Sequence, residues 1–300
     1  MILVTGATGN VGADLVRILV AAGRPVRALV RTLPSTRTDG GEHGSEHSHG
    51  HGVQPGVEHV LGDLNEPASL APALDGVTGV FLLPGYHDMA GVLDEARRAG
   101  VERVVQLSGG SAGSGDLSNA VTRYMVRTEQ AVYDSGLPWT VLRPSAFMSN
   151  ALRWLPQLRA GDTVRLPFAG VRAATVDPYD IAAVAAAALL DDGDEHGRTG
   201  GHQGRIYHPT GGESLLPAEQ VRVLAEVLGR DLRFEAQPDD EARAEMSRTM
   251  PPEYVDAFFD FYVKGTLDES IIRPDVQVVT GRPPRTFRAW AEAHRAAFQA

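Results

Sequence analysis

Apolar and polar positions change period in a regular rhythm along the first half of the chain. Residues 1–5 are a short apolar, β-branched run, and after three glycines Leu15, Val16, Leu19 and Val20 recur at helical spacing. Strand-like runs follow at 25–30, 57–61, 79–83, 103–107 and 139–142. Helical patterns between them cover 66–74, 88–99 and 117–135, the second with Val92, Leu93 and Ala96 on its inward face. Apolar runs without polar alternation are buried on both faces, as parallel strands are. Strands alternating with helices at this interval predict an α/β protein with a right-handed, doubly wound parallel sheet.

After Asn150 the pattern loosens. Residues 164–166 and 173–176 read as short strands, and 176–189 runs into an alanine-rich helix with Asp180 as its cap. A polar, glycine-rich loop covers 191–204. A strand at 205–207, a helix at 217–228 and a strand at 232–235 suggest a small α/β lobe, closed by a helix at 286–298. Residues 253–262 carry Tyr254, Phe258, Phe259, Phe261 and Tyr262, a group that reads either as core or as the wall of an apolar pocket. The expected organisation is a larger domain over 1–150 and a smaller lobe over 151–300, with 173–190 returning to the first domain.

One segment interrupts this rhythm. Residues 32–55 are rich in Gly, Ser and Glu and carry His43, His47, His49 and His51. Their loose spacing fixes no ligand geometry, so the segment reads as a flexible surface insertion and no metal site is assigned.

Composition narrows the function. A net charge of −10 argues against non-specific nucleic-acid binding. With no cysteine, disulfides and a thiol nucleophile are excluded. The longest apolar run, 181–190, is too short to span a bilayer, and glycines break the apolar start before it reads as a signal peptide. A soluble cytoplasmic protein without membrane or nucleic-acid partners is expected. The only lysine is Lys264, which removes lysine chemistry from the first half.

Gly6, Gly9 and Gly12 stand between the first strand and the first helix. A dinucleotide pyrophosphate needs this context: a sharp turn, close backbone approach and a helix N-terminus with free N–H groups. Arg31 directly follows the second strand. An acidic residue there suits a ribose 2′-hydroxyl and an arginine suits a 2′-phosphate, so NADP(H) is expected over NAD(H). Gly6, Arg31, Asp63, Pro84 and Ser108 all fall at strand ends on one edge of the predicted sheet, where ligands of doubly wound folds sit.

TGATGNVG at 5–12, the GDL turn at 62–64, SGLPWTVLRPSAFMSN at 135–150 and VDPYDIAAVAAAAL at 176–189 together resemble the NmrA-like family. These are atypical short-chain dehydrogenases/reductases that bind NAD(P)H, and the resemblance is best over 1–150. It implies a Rossmann domain there. It places Gly6, Thr8, Gly9, Asn10, Val11 and Gly12 at the pyrophosphate, with Asp63 and Leu64 beside the adenine. Asp63 has the alternative role of capping the helix at 66–74. Leu83, Pro84, Ser108, Pro144, Ser145 and Phe147 would border the nicotinamide. Gly85, Phe147, Met148, Tyr254 and Phe258 would line the acceptor pocket.

Typical short-chain reductases carry Tyr-x-x-x-Lys on the helix at 117–135, the lysine lowering the pKa of the phenol. Here Tyr124 is followed by Thr128, and Tyr133 by Leu137. Many NmrA-like members instead keep a lysine or histidine four residues before a glutamate; with Glu129 as that glutamate, the basic position holds Met125. No catalytic residue is assigned, and Tyr124 and Ser108 remain as candidates. Ser111 is a further hydrogen-bonding serine, and Arg123 or Arg127 could hold ribose or phosphate. The expected function is NADPH-dependent hydride delivery to a small apolar acceptor, such as a quinone or imine, that needs no enzymic acid. The alternative is a non-catalytic NAD(P)H sensor acting on a protein partner.

Overall fold

Six strands recur through the first half: β1 (Ile2–Val4), β2 (Val26–Val30), β3 (Val57–Leu61), β4 (Gly79–Leu82), β5 (Arg103–Leu107) and β6 (Trp139–Leu142). Three more follow: β7 (Thr163–Leu166), β8 (Arg205–Tyr207) and β9 (Arg233–Ala236). The structure is a computed structural model, and it describes residues 1–32, 56–191 and 201–299. The His-rich insertion from residue 33 onward, and 192–200 of the polar loop, lie outside the described residues.

The main sheet has the order β3-β2-β1-β4-β5-β6-β8, and every pairing is parallel. This is the doubly wound Rossmann arrangement, with its switch point between β1 and β4. β7 and β9 form a separate parallel pair. The 205–207 strand therefore extends the main sheet and does not belong to the small lobe. Residues 173–176 form isolated bridges, Ala173 to Leu215 and Val176 to Phe147, and no strand.

The helices are α1 (Asn10–Ala21), α2 (Ala71–Leu74), α3 (Met89–Arg98), α4 (Ala120–Asp134), α5 (Leu155–Ala160) and α6 (Pro178–Leu190). They continue as α7 (Pro217–Leu228), α8 (Asp239–Met246), α9 (Pro252–Tyr262), α10 (Asp275–Thr280), α11 (Phe287–Ala293) and α12 (Arg295–Gln299). Side chains alternate across the strands, so Ile2 and Val4 enter the core shared with α1 and α6 while Leu3 enters that shared with α2, α3 and α4. The alanine-rich α6 is buried nearly all round, wedged between α1 and the sheet. A third core joins Trp154, Leu158, Val164, Leu224, Phe287 and Trp290 in the second half.

Local chemistry sets the helix starts. Asn119 caps α4 by accepting from the Thr122 N–H at 3.1 Å, so the helix begins three residues later than its apolar pattern. Asp177, not Asp180, caps α6: it has extended backbone, accepts from the Tyr179 N–H at 2.9 Å and precedes a proline. Asp180 is fully buried and binds Arg282 and the Arg285 N–H, each at 2.7 Å. Asp63 caps no helix; its carboxylate accepts from the Asn65 N–H, and a 3-10 turn at Pro67–Leu70 precedes α2. The expected terminal helix is divided at His294 into α11 and α12.

Candidate functional site

The first turn of α1 starts at Gly9, whose missing side chain leaves the helix N-terminus uncapped. Gly6 has φ +61°, and a Cβ there would lie 2.4 Å from Leu83 Cδ1. A Cβ on Gly12 would stand 2.1 Å from the Gly6 carbonyl oxygen, so helix and loop close together only with glycine at this position. Thr5 fastens the loop to the neighbouring strand end: its hydroxyl donates to Phe81 O and accepts from the Leu83 N–H, both at 3.0 Å. Thr8, Gly9 and Asn10 are exposed, whereas Val11 is buried in the core. Asn10 also donates to Ser149 Oγ at 3.1 Å, linking the loop to the second half. A cavity of about 420 Å³ opens beside the loop, bordered by Asn10, Val30, His59, Ser149, Asp177 and Pro178.

Arg31 is exposed just past β2. Its charge and that of Asp63 both reach the hydroxyl of half-buried Tyr86, whose pKa is raised chiefly by burial. Tyr86 thus belongs to this end of the edge, although its only sequence signal is an aromatic two residues after Pro84. Leu64 turns inward to the core.

Glu129 organises the other end. It is buried, and it accepts from Ser108 Oγ at 2.5 Å, Tyr133 Oη at 2.8 Å, Arg143 Nε at 2.9 Å and Arg143 Nη2 at 2.6 Å. Burial alone would raise its pKa, but the hydrogen bonds and the charge of Arg143 outweigh burial and hold it below its ordinary 4.5. Ser108 is therefore committed to Glu129. Pro144 accepts the Gly110 N–H at 2.9 Å, and the Ser145 hydroxyl donates to Ala174 O at 2.5 Å, which fixes the segment after β6.

Met125 packs against Gly109, one helical turn before Glu129. Tyr124 lies against Gly85 and donates to Pro84 O at 3.1 Å. Burial and the neighbouring Tyr254 raise its pKa, so no group among the described residues activates this phenol. Arg123 is engaged by Glu253 at 3.2 Å and by the carbonyls of Leu117 and Ser118. Arg127 is exposed and Ser111 is buried. Phe147 is half-buried beside the α1–α6 core, while Met148 is sealed within the second-half core and presents no surface to an acceptor. Tyr254 and Phe258 are half-buried on α9, four residues apart on one face. The loop, Arg31, Pro84–Gly85, Ser108 and Pro144–Phe147 thus follow the carboxyl ends of the strands along one edge of the sheet.

The model of the NmrA-like family matches residues 1–270. The chain belongs to the NmrA-like family. It is 41% identical over 302 residues to a (4-alkanoyl-5-oxo-2,5-dihydrofuran-3-yl)methyl phosphate reductase of Streptomyces griseus subsp. griseus, covering 99% of each chain. It is 34% identical over 307 residues to an NAD(P)H azoreductase of Xenophilus azovorans, covering 100% of each. The fold is also that of an NADPH-dependent quinone oxidoreductase of Escherichia coli solved with NADPH, with a TM-score of 0.73 at 20% identity over 98% of this chain and 99% of that one.

Proposed function

We propose that this protein is an NADPH-dependent reductase that delivers hydride to a small conjugated acceptor. One observation carries the reading: the uncapped start of α1, the glycine cradle and Arg31 lie on the same sheet edge as Pro84, Ser108 and Pro144. Full-length relatives that are themselves reductases support the reaction class. In this reading Gly6–Gly12 and the α1 N-terminus hold the pyrophosphate, and Arg31 takes the 2′-phosphate. Asp63 and Tyr86 flank the adenosine, while Leu83, Pro84, Ser108 and Pro144–Phe147 border the nicotinamide. The bound cofactor supplies the hydride.

The acceptor class follows from α4. Met125 offers no proton and Tyr124 is an unactivated phenol, so the helix that normally supplies the acid does not do so here. A quinone, an imine or an unsaturated carbonyl answers this deficit, because the adduct spreads its charge over a conjugated system. The furanone and azo groups in the names of the two relatives belong to the same electronic class. Tyr254, Phe258 and Gly85 would wall the acceptor.

The experiment is NADPH oxidation followed against panels of quinones, imines and azo compounds. Turnover of at least one conjugated acceptor is expected. Tight NADPH binding with no acceptor reduced would instead favour an NADPH sensor.

A further inference from the structure

Between β4 and α3 the chain runs from Leu83 to Asp88 without helix or strand. Both ends of this turn are fixed. The Leu83 N–H donates to Thr5 Oγ1 at 3.0 Å, and Asp88 caps α3 by accepting from the Gly91 N–H at 2.8 Å. Among the described residues, the one hydrogen bond made by Pro84, Gly85 or Tyr86 is that from Tyr124 Oη to Pro84 O, at 3.1 Å. Gly85 makes room for it. A Cβ on Gly85 would lie 1.4 Å from Tyr124 Oη and 2.2 Å from its Cζ, so the phenol fills the place of the missing side chain. The Gly85 backbone has φ +92°, which is strained for an L residue as well.

Tyr124 reaches the turn from a firmly held helix. Asn119 caps α4, and its Nδ2 also donates to Ala257 O on α9 at 3.1 Å. Five residues beyond Tyr124, Glu129 binds Ser108 after β5 and Arg143 after β6. One helix thus holds three neighbouring strand ends, β4 through Tyr124 and β5 and β6 through Glu129. Burial raises the Tyr124 pKa, so the phenol keeps its proton, and its donor, at neutral pH.

We propose that Tyr124 is a positioning residue for the cofactor, its hydroxyl latching the Pro84–Gly85 turn in the shape that borders the nicotinamide. This rests on the cofactor placement given above. A turn already closed spares NADPH the cost of ordering it, and apparent affinity scales with the fraction of molecules in which it is closed. The same bond directs the phenol proton at a backbone carbonyl, in keeping with an acceptor that needs no enzymic acid.

Tyr124→Phe keeps the ring in the notch and removes only the bond. Loss of one hydrogen bond should raise the open population about two- to tenfold. In the cofactor-free protein, chymotrypsin cleavage after Tyr86, identified by mass spectrometry, should quicken by that factor while other sites are cut at wild-type rates. NADPH, titrated by fluorescence, should bind about twofold more weakly or worse. With 1,4-naphthoquinone and saturating NADPH, kcat should stay within about twofold. Gly85→Ala should weaken NADPH further, and its effect should shrink in the Tyr124→Ala background, where the notch is empty. Cleavage after Tyr86 at the wild-type rate, or strict additivity of Gly85→Ala and Tyr124→Ala, overturns the latch. Unchanged NADPH affinity in Tyr124→Phe overturns its role toward the cofactor, and a fallen kcat beside it would mark a proton donor. A wild type that binds no NADPH overturns the cofactor reading itself; cleavage after Tyr86 still decides the latch, because it is measured without cofactor.

Discussion

At Arg31 a single guanidinium decides the cofactor preference proposed here. A charge-assisted contact to a phosphate contributes about 1.5–3 kcal/mol, or roughly ten- to a hundredfold in affinity. Arg31→Ala should weaken NADPH by that factor and leave NADH within about twofold, as measured by fluorescence titration. Equal loss for both would refute the phosphate contact. Residues of this kind were legible in the chain because their roles are local: Gly6 and Gly12 answer to backbone geometry within one turn, and Arg31 to its place after a strand. Glu129 was legible only in position. Its partners Ser108 and Arg143 lie 21 and 14 residues away, a distance over which no local pattern speaks.

Among the elements, α4 is held by the glutamate that its sequence singled out. Glu129 is the buried anchor that ties α4 to the ends of β5 and β6, and its native pKa is depressed. A depressed carboxylate contributes stability above its unfolded pKa, which is lost as pH falls through the lower native value. Glu129→Gln should therefore unfold more easily at pH 7, by about 1–3 kcal/mol in urea. The gap to wild type should hold down to about pH 4.5 and shrink below it; a gap that widened in acid would contradict the assigned network. The α6 cap was misread for a different reason. Asp177 and Asp180 both suit a helix start, but Pro178 fits the first helical position only if Asp177 is the cap.

Across the whole molecule, the second half is fastened behind the glycine loop. Asp180 in the first turn of α6 binds Arg282 and the Arg285 backbone, Arg285 stacks on Tyr179 at 3.8 Å, and Asn10 reaches Ser149. Asp180→Ala should cost about 2–3 kcal/mol, discounted because Arg282 is one-third exposed, and lower Tm by roughly 4–10 °C. An unchanged Tm would show the tether to be dispensable. That the first six strands form a doubly wound parallel sheet was legible from their alternation with helices. The assignment of Arg205–Tyr207 to the main sheet was not, since three residues carry no period and the pairing with β6 is set by the whole chain.

The reaction proposed for this protein is hydride transfer to a conjugated acceptor. The direct measurement is turnover of a quinone or imine with NADPH deuterated at the nicotinamide C4, followed by mass spectrometry of the product. One deuterium should be carried into an imine product, and a quinone should show a primary isotope effect on NADPH oxidation. Cofactor bound tightly but with its deuterium retained, and no acceptor reduced, would contradict it.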